Sequence, residues 1–100
     1  MKNIRKIFKY PLKVTDEQEL ILPAGSDILS IAEQKNEIVV YVVVTPAYES
    51  EVKKKFEFLM FGTGHEIEVD LQDYKFGGTV NLYNGKLMFH VFYRDMGSMG

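Results

Sequence analysis

The feature that most constrains this chain is a period of two that persists almost from end to end. Apolar and polar residues alternate in short runs broken by Pro, Gly, Asn and Asp, and no stretch of ten residues carries a convincing helical repeat. Such alternation sends successive side chains to opposite faces of a strand, so the pattern predicts strands and excludes a helical bundle. Residues 7–14 form the first candidate, which Pro11 confines to a sheet edge or a bulge because it cannot donate to a ladder. Residues 19–22 form a short second strand, closed by Pro23-Ala24-Gly25-Ser26. Thr15-Asp16-Glu17-Gln18 has the spacing of a helix capping box, but Pro23 follows too soon for a helix, and the segment reads as a turn.

Residues 27–34 and 37–44 flank Lys35-Asn36, a two-residue hairpin turn in which Asn tolerates positive φ. Counting back from that turn pairs Ile31 with Val40 and Leu29 with Val42 on one face, and Ser30 with Tyr41 on the other. Val39, Val40, Val42, Val43 and Val44 are apolar on both sides, the mark of a central strand. Residues 45–50 read as a loop that carries Tyr48. Residues 55–61 read as a strand with Phe56, Phe58 and Met60 on one face and Leu59 and Phe61 on the other. Residues 66–74 are acidic and irregular, with room for one short strand and a turn.

The last hairpin, residues 79–83 and 86–93, is joined by Asn84-Gly85, the dipeptide favoured in a type I′ turn. That register sets Leu82 opposite Leu87, Val80 opposite Phe89, Gly78 opposite Val91, Asn81 opposite Met88 and Thr79 opposite His90. The sum is one all-β, mainly antiparallel domain over residues 1–95: a small sandwich or partly open barrel of about six to eight short strands. Residues 96–100 have little to bury and read as a disordered tail.

Composition then bounds function. The chain has no cysteine, which excludes disulfides, thiolate metal sites and thiol nucleophiles and fits a reducing cytosol. A net charge of −2 with interspersed signs works against phosphate-dominated binding to long nucleic acid, which wants a basic stripe. The basic clusters are Arg5, Lys6, Lys9 and Lys13, and then Lys53, Lys54 and Lys55, the second reading as a solvated strand end. The longest apolar run, residues 38–44, falls far short of the ~20 residues of a membrane span. The basic start lacks the apolar core of a signal peptide. These features predict a soluble, cytoplasmic protein with no membrane partner.

Chemistry is sparse. The two histidines are His65 and His90. Gly62, Thr63, Gly64 and His65 form a turn whose glycines admit a ligand close to the backbone, so a small anion on those amides is one reading and a tight turn leaving a strand the other. Gly-Thr-Gly lacks the spacer and the Gly-Lys-Ser/Thr ending of a phosphate-binding P-loop. His90 lies within an apolar strand, where a half-buried, hydrogen-bonded histidine competes with a ligand-binding one. Neither histidine has metal-ligand spacing with Asp70 or Asp73, and no metal or cofactor is expected. Glu66, Glu68 and Asp70 alternate with Ile67, Val69 and Leu71 in the manner of a strand with one wet face rather than an acid/base pair. No Gly-x-Ser-x-Gly elbow is present, and the expectation is a chain that is not an enzyme. Tyr48 and Tyr83 sit near loops, where a ring with a polar tip serves contact, and an unpaired edge strand makes a homodimer plausible.

Several stretches occur together in a recognisable order: Ile7-Phe8-Lys9-Tyr10-Pro11-Leu12, Thr15-Asp16-Glu17-Gln18, Pro23-Ala24-Gly25-Ser26, Phe61-Gly62-Thr63-Gly64-His65, Gly78-Thr79, Gly85 and Phe89-His90-Val91-Phe92. In that order the chain resembles, over residues 7–93, a family of short proteins of unknown function carried mostly by phages and prophage-bearing bacterial genomes. It departs from them in the lysine-rich residues 48–55 and in its last five residues. The resemblance implies a protein made in a bacterial cytoplasm during infection, and it singles out Gly62, Thr63, Gly64, His65 and His90. Three functions compete: a binding module for a host protein or a small anionic ligand, with antagonism of host defence as one such role; a structural or assembly protein of a virion; and an enzyme acting on a nucleotide or phosphoester through His65 and His90.

Overall fold

A computed structural model describes residues 4–45 and 52–99, and all statements below concern those residues. The elements run β1 (Lys6–Leu12), β2 (Glu17–Pro23), β3 (Ser26–Gln34), β4 (Glu37–Val44), β5 (Lys53–Gly62), β6 (Lys75–Leu82) and β7 (Leu87–Ser98). They form two antiparallel sheets, one of three strands ordered β1-β4-β3 and one of four ordered β2-β5-β7-β6. The architecture is therefore a sandwich and not a closed barrel. None of the described elements is a helix, so the described residues contain no helix long and apolar enough to cross a membrane.

The alternation explains the core. From the three-stranded sheet Ile38, Val40, Val42 and Ile31 point inward; from the other come Leu22, Phe56, Phe58, Met60, Val80, Leu82 and Val91. Each is at most 5% exposed. Burying a side chain of this size contributes about 1.5–3 kcal/mol against the entropy of ordering the chain. β4 is central, as its valine run predicts, and β1 with Pro11 is an edge strand.

Both hairpins keep their predicted turns. Lys35 and Asn36 have φ of 53° and 63°, and Asn84 and Gly85 have 58° and 85°, the left-handed pair a type I′ turn needs. The second loop is wider than expected: Tyr83 is also left-handed at 52°, so β6 ends at Leu82 and β7 starts at Leu87. The cause is a cross-sheet tie, since the Tyr83 amide donates to the Asn36 side-chain oxygen at 2.9 Å. That bond fastens one hairpin tip to the other.

Four expectations are corrected. Leu29 does not pair with Val42; a bulge between Ile28 and Ser30 puts Ile28 there and leaves Leu29 51% exposed, while Ile31 opposite Val40 and Ser30 opposite Tyr41 hold. Glu17 and Gln18 belong to β2 rather than to a turn, and the Gln18 amide group bonds both the N–H and the C=O of Lys13 at 3.0 and 2.7 Å. Residues 66–74 contain no strand; local turns form instead, with the Gln72 amide donating to the Asp70 carboxylate and the Tyr74 amide to the Leu71 carbonyl. Residues 96–98 are not a loose tail, because β7 pairs on to Ser98 opposite Lys54, across an irregularity that Gly97 with φ 92° accommodates. Tyr48 and most of its loop lie outside the described residues.

The sheets meet at one flank, where β6 lies against β3. A Cβ at Gly78, whose φ is 155°, would stand 2.7 Å from the Ile31 carbonyl oxygen, and one at Gly77 would collide with the Ile31 side chain. Only glycines allow two backbones this close. β3 and β6 are the last strands of their sheets, so the other two edges, β1 and β2, form the opposite flank.

Candidate functional site

The turn singled out in sequence is built at the end of β5. His65 N–H donates to the Gly62 carbonyl at 3.1 Å, and Gly64 supplies the left-handed corner at φ 87°. This closes the chain so tightly that the His65 ring lies on the Gly62 backbone. A Cβ at Gly62 would be 2.8 Å from His65 Cε1 and 2.9 Å from Nδ1. Gly62 is therefore a seat for the imidazole. The His65 amide, a donor an anion would need, is already taken by Gly62.

Thr63 leaves the turn in another direction, toward His90. The Thr63 hydroxyl lies 2.8 Å from His90 Nε2, and the Thr79 hydroxyl from the neighbouring strand lies 2.9 Å from Nδ1. Thr79 stands opposite His90 in the β6–β7 ladder, as the sequence register predicts. A neutral imidazole has one N–H and one acceptor nitrogen, and each meets a hydroxyl able to serve as donor or acceptor. The five predicted residues thus split into two groups. Gly62, Gly64 and His65 form the turn; Thr63 and His90, joined by Thr79, form a hydrogen-bonded trio on the outer face of the sheet. No hydrogen bond joins the two histidines among the described residues.

A cleft of about 690 Å³ opens beside the turn, within the range of small-ligand sites. Its apolar lining is Leu59, Met60, Phe61, Phe89, Val14 and Val69. Asp16 lines it from the β1–β2 connection and Glu17 from the start of β2, with His65, Glu66 and Glu68 from the segment after β5. The Asp16 carbonyl accepts from the Met60 amide at 3.0 Å, which holds the connection against β5 and makes the wall. Among the described residues, four carboxylates border this cleft and no lysine or arginine does. The arrangement suits a ligand with an apolar body and a positive charge.

Sequence reasoning missed Asp16 and Glu17, which reach the cleft through tertiary folding from far along the chain. It also took Glu66 and Glu68 for the wet face of a strand. Their alternation with Ile67 and Val69 points to that strand, but no sheet takes the segment up, and both apolar residues stay 44% exposed.

A second polar cluster lies on the same outer sheet face. The Tyr74 hydroxyl and Arg94 Nε both donate to Glu57 Oε1, at 2.5 and 2.8 Å, and the guanidinium lies 4.7 Å from the Tyr74 ring centre. The Tyr74 hydrogen bond, with Arg94 adding to it against the opposing effect of burial, holds the Glu57 carboxyl below its ordinary 4.5. Burial, and then the hydrogen bond to Glu57 and its charge, pushes the Tyr74 phenol above 10.0. Among the described residues no three His, Asp or Glu side chains converge as a metal would require.

Residues 3–98 match the model of a family described as a domain of unknown function, DUF7352, and the chain belongs to that family. No curated protein and no solved structure matches it.

Proposed function

We propose that this DUF7352 chain is a non-catalytic binding module, the phage-type accessory protein its resemblance implies, and that it grips a basic, partly apolar segment of a host protein. One observation carries the reading: a cleft lined by apolar side chains and by Asp16, Glu17, Glu66 and Glu68, with no lysine or arginine among the described residues that line it. Carboxylates around a partly apolar cleft attract and orient a lysine or arginine side chain while its stem and neighbours lie against the apolar lining. The same carboxylates repel an anion, so the amide-bound anion expected from the glycine turn gives way to a cation. His65, seated on Gly62, forms one lip of the cleft.

Panning a random peptide library against the immobilised protein tests this. Selected peptides are expected to carry Lys or Arg beside an aromatic or aliphatic residue. Their binding should weaken at least tenfold in a Glu66→Gln/Glu68→Gln variant and fall with added salt (a loss of about 1.4 kcal/mol). Selection of acidic peptides, or affinity indifferent to both carboxylates, would overturn the reading.

A further inference from the structure

Among the described residues, the flank opposite the glycine contact leaves two edges bare, and their chemistry is complementary. β1 is exposed along Ile7, Phe8 and Lys9, with Ile7 at 63% and Phe8 at 44%. β2 carries Glu19 and Ile21 on its outer face, Ile21 at 56%. An edge lined with lysine resists pairing with a copy of itself, because like charges would stand opposite each other. A lysine edge beside a glutamate edge is different: each fits the other edge of a second copy.

We infer that the chain forms an isologous dimer in which β1 of one protomer pairs antiparallel with β2 of its partner, and β2 with β1, so that two seven-stranded sheets run through the dimer. A two-fold axis parallel to the strands produces this contact twice, as closed symmetry requires. Rotation about such an axis leaves every residue at its own height along the strands. The short connection at residues 13–16 reverses the chain between β1 and β2, so residues equidistant from it lie level. Outward residues must also stay outward, which leaves two registers. One sets Lys9 opposite Glu19, Ile7 opposite Ile21 and Phe8 opposite Leu20. The other sets Lys9 opposite Ile21 and Ile7 opposite Pro23. Charge and apolar matching select the first. Lys9 currently bonds Gln34, a neutral partner, and Glu19 is reached by Lys55 only at 3.6 Å, so both charges remain open to a stronger pairing.

Ile7, Lys9, Glu19 and Ile21 do not line the acidic cleft, which the β2 edge meets only at Glu17, and the test of this contact does not depend on any ligand. Sedimentation velocity should give a dimer for the unmodified chain. Lys9→Glu and Glu19→Lys should each weaken dimerisation by about tenfold or more, since each change occurs twice per dimer, and the two together should restore it. In this cysteine-free chain, Ile7→Cys with Ile21→Cys should yield a disulfide-linked dimer on non-reducing gels. A monomer at every concentration, charge reversals that add without rescue, or a disulfide closed within one chain would each overturn the proposal.

Discussion

Where β3 meets β6 the two sheets touch backbone to backbone, whereas at β1 and β2 they part and leave both edges bare. The difference lies in side chains. At the first flank Gly77 and Gly78 remove every atom that would hold the sheets apart, and Ile31 fills the seam at 5% exposure. At the second, Ile7, Phe8, Lys9, Glu19 and Ile21 all carry bulk into solvent. A sandwich of this size is closed on one side by glycine and left open on the other, where bulk and charge are free to meet another surface.

The largest effect should come from filling the closed flank. Gly78→Val puts a branched side chain where the Ile31 carbonyl stands 2.7 Å away, in a backbone conformation that L-residues rarely adopt. Strain and overpacking together should cost about 3–4 kcal/mol, read as a lowered urea midpoint. A loss under about 1 kcal/mol would mean that β6 can retreat from β3 and that the flanks differ less than their geometry indicates.

Truncation sharpens the contrast. Ile31→Ala at the closed flank should cost about 3 kcal/mol, because a packed seam relaxes poorly around a cavity. Phe8→Ala, at 44% exposure on the open flank, should cost less than about 1 kcal/mol in the monomer. The two are compared below the concentration at which the chain self-associates. Equal losses would show that the open flank is packed as tightly as the closed one.

The sequence shows one of these flanks better than the other. Pro11 marks β1 as an edge, and the Asn84-Gly85 turn places Gly78 opposite Val91 correctly. Nothing local says that Gly77 and Gly78 face Ile31 of the other sheet, since alternation reports which face is buried and not which partner covers it. The bulge that expels Leu29 is invisible for the same reason: one extra residue changes the register without altering the composition. For the candidate site, the glycine turn and both histidines were legible, yet the carboxylate rim was not. Asp16 and Glu17 join it because the Asp16 carbonyl takes the Met60 amide, a contact between segments more than forty residues apart. His90 was legible as a half-buried strand residue, and its hydrogen bonds to Thr63 and Thr79 follow from the register and the turn beside it.

Between the two flanks, the Glu57–Tyr74–Arg94 cluster spans the outer face of the four-stranded sheet and gives the smallest and most pH-dependent effect. Glu57→Gln should lower stability near neutral pH by about 1 kcal/mol, the worth of a hydrogen bond to a charged acceptor at a partly exposed site. The sign follows from the shifts. Glu57 is held below its ordinary 4.5, so its contribution is fully present above that pH and is lost as pH falls through the lower folded value. Tyr74 is raised above 10.0, so its contribution is fully present below pH 10.0 and is lost as pH rises through the higher folded value. Asp95 adds to the acid loss: burial pushes its carboxyl up, but the Gly97 amide and Lys54 more than offset this and leave it below 3.8. Burial of Tyr93, with the nearby Asp27 charge, adds to the alkaline loss. The Gln variant should therefore keep part of both slopes while its acid-side decline becomes shallower than the parent's, measured by urea unfolding across pH. An unchanged acid slope would place the acid sensitivity at Asp95, on the last stretch of β7, and detach the Glu57 cluster from the stability of the sheet that joins the flanks.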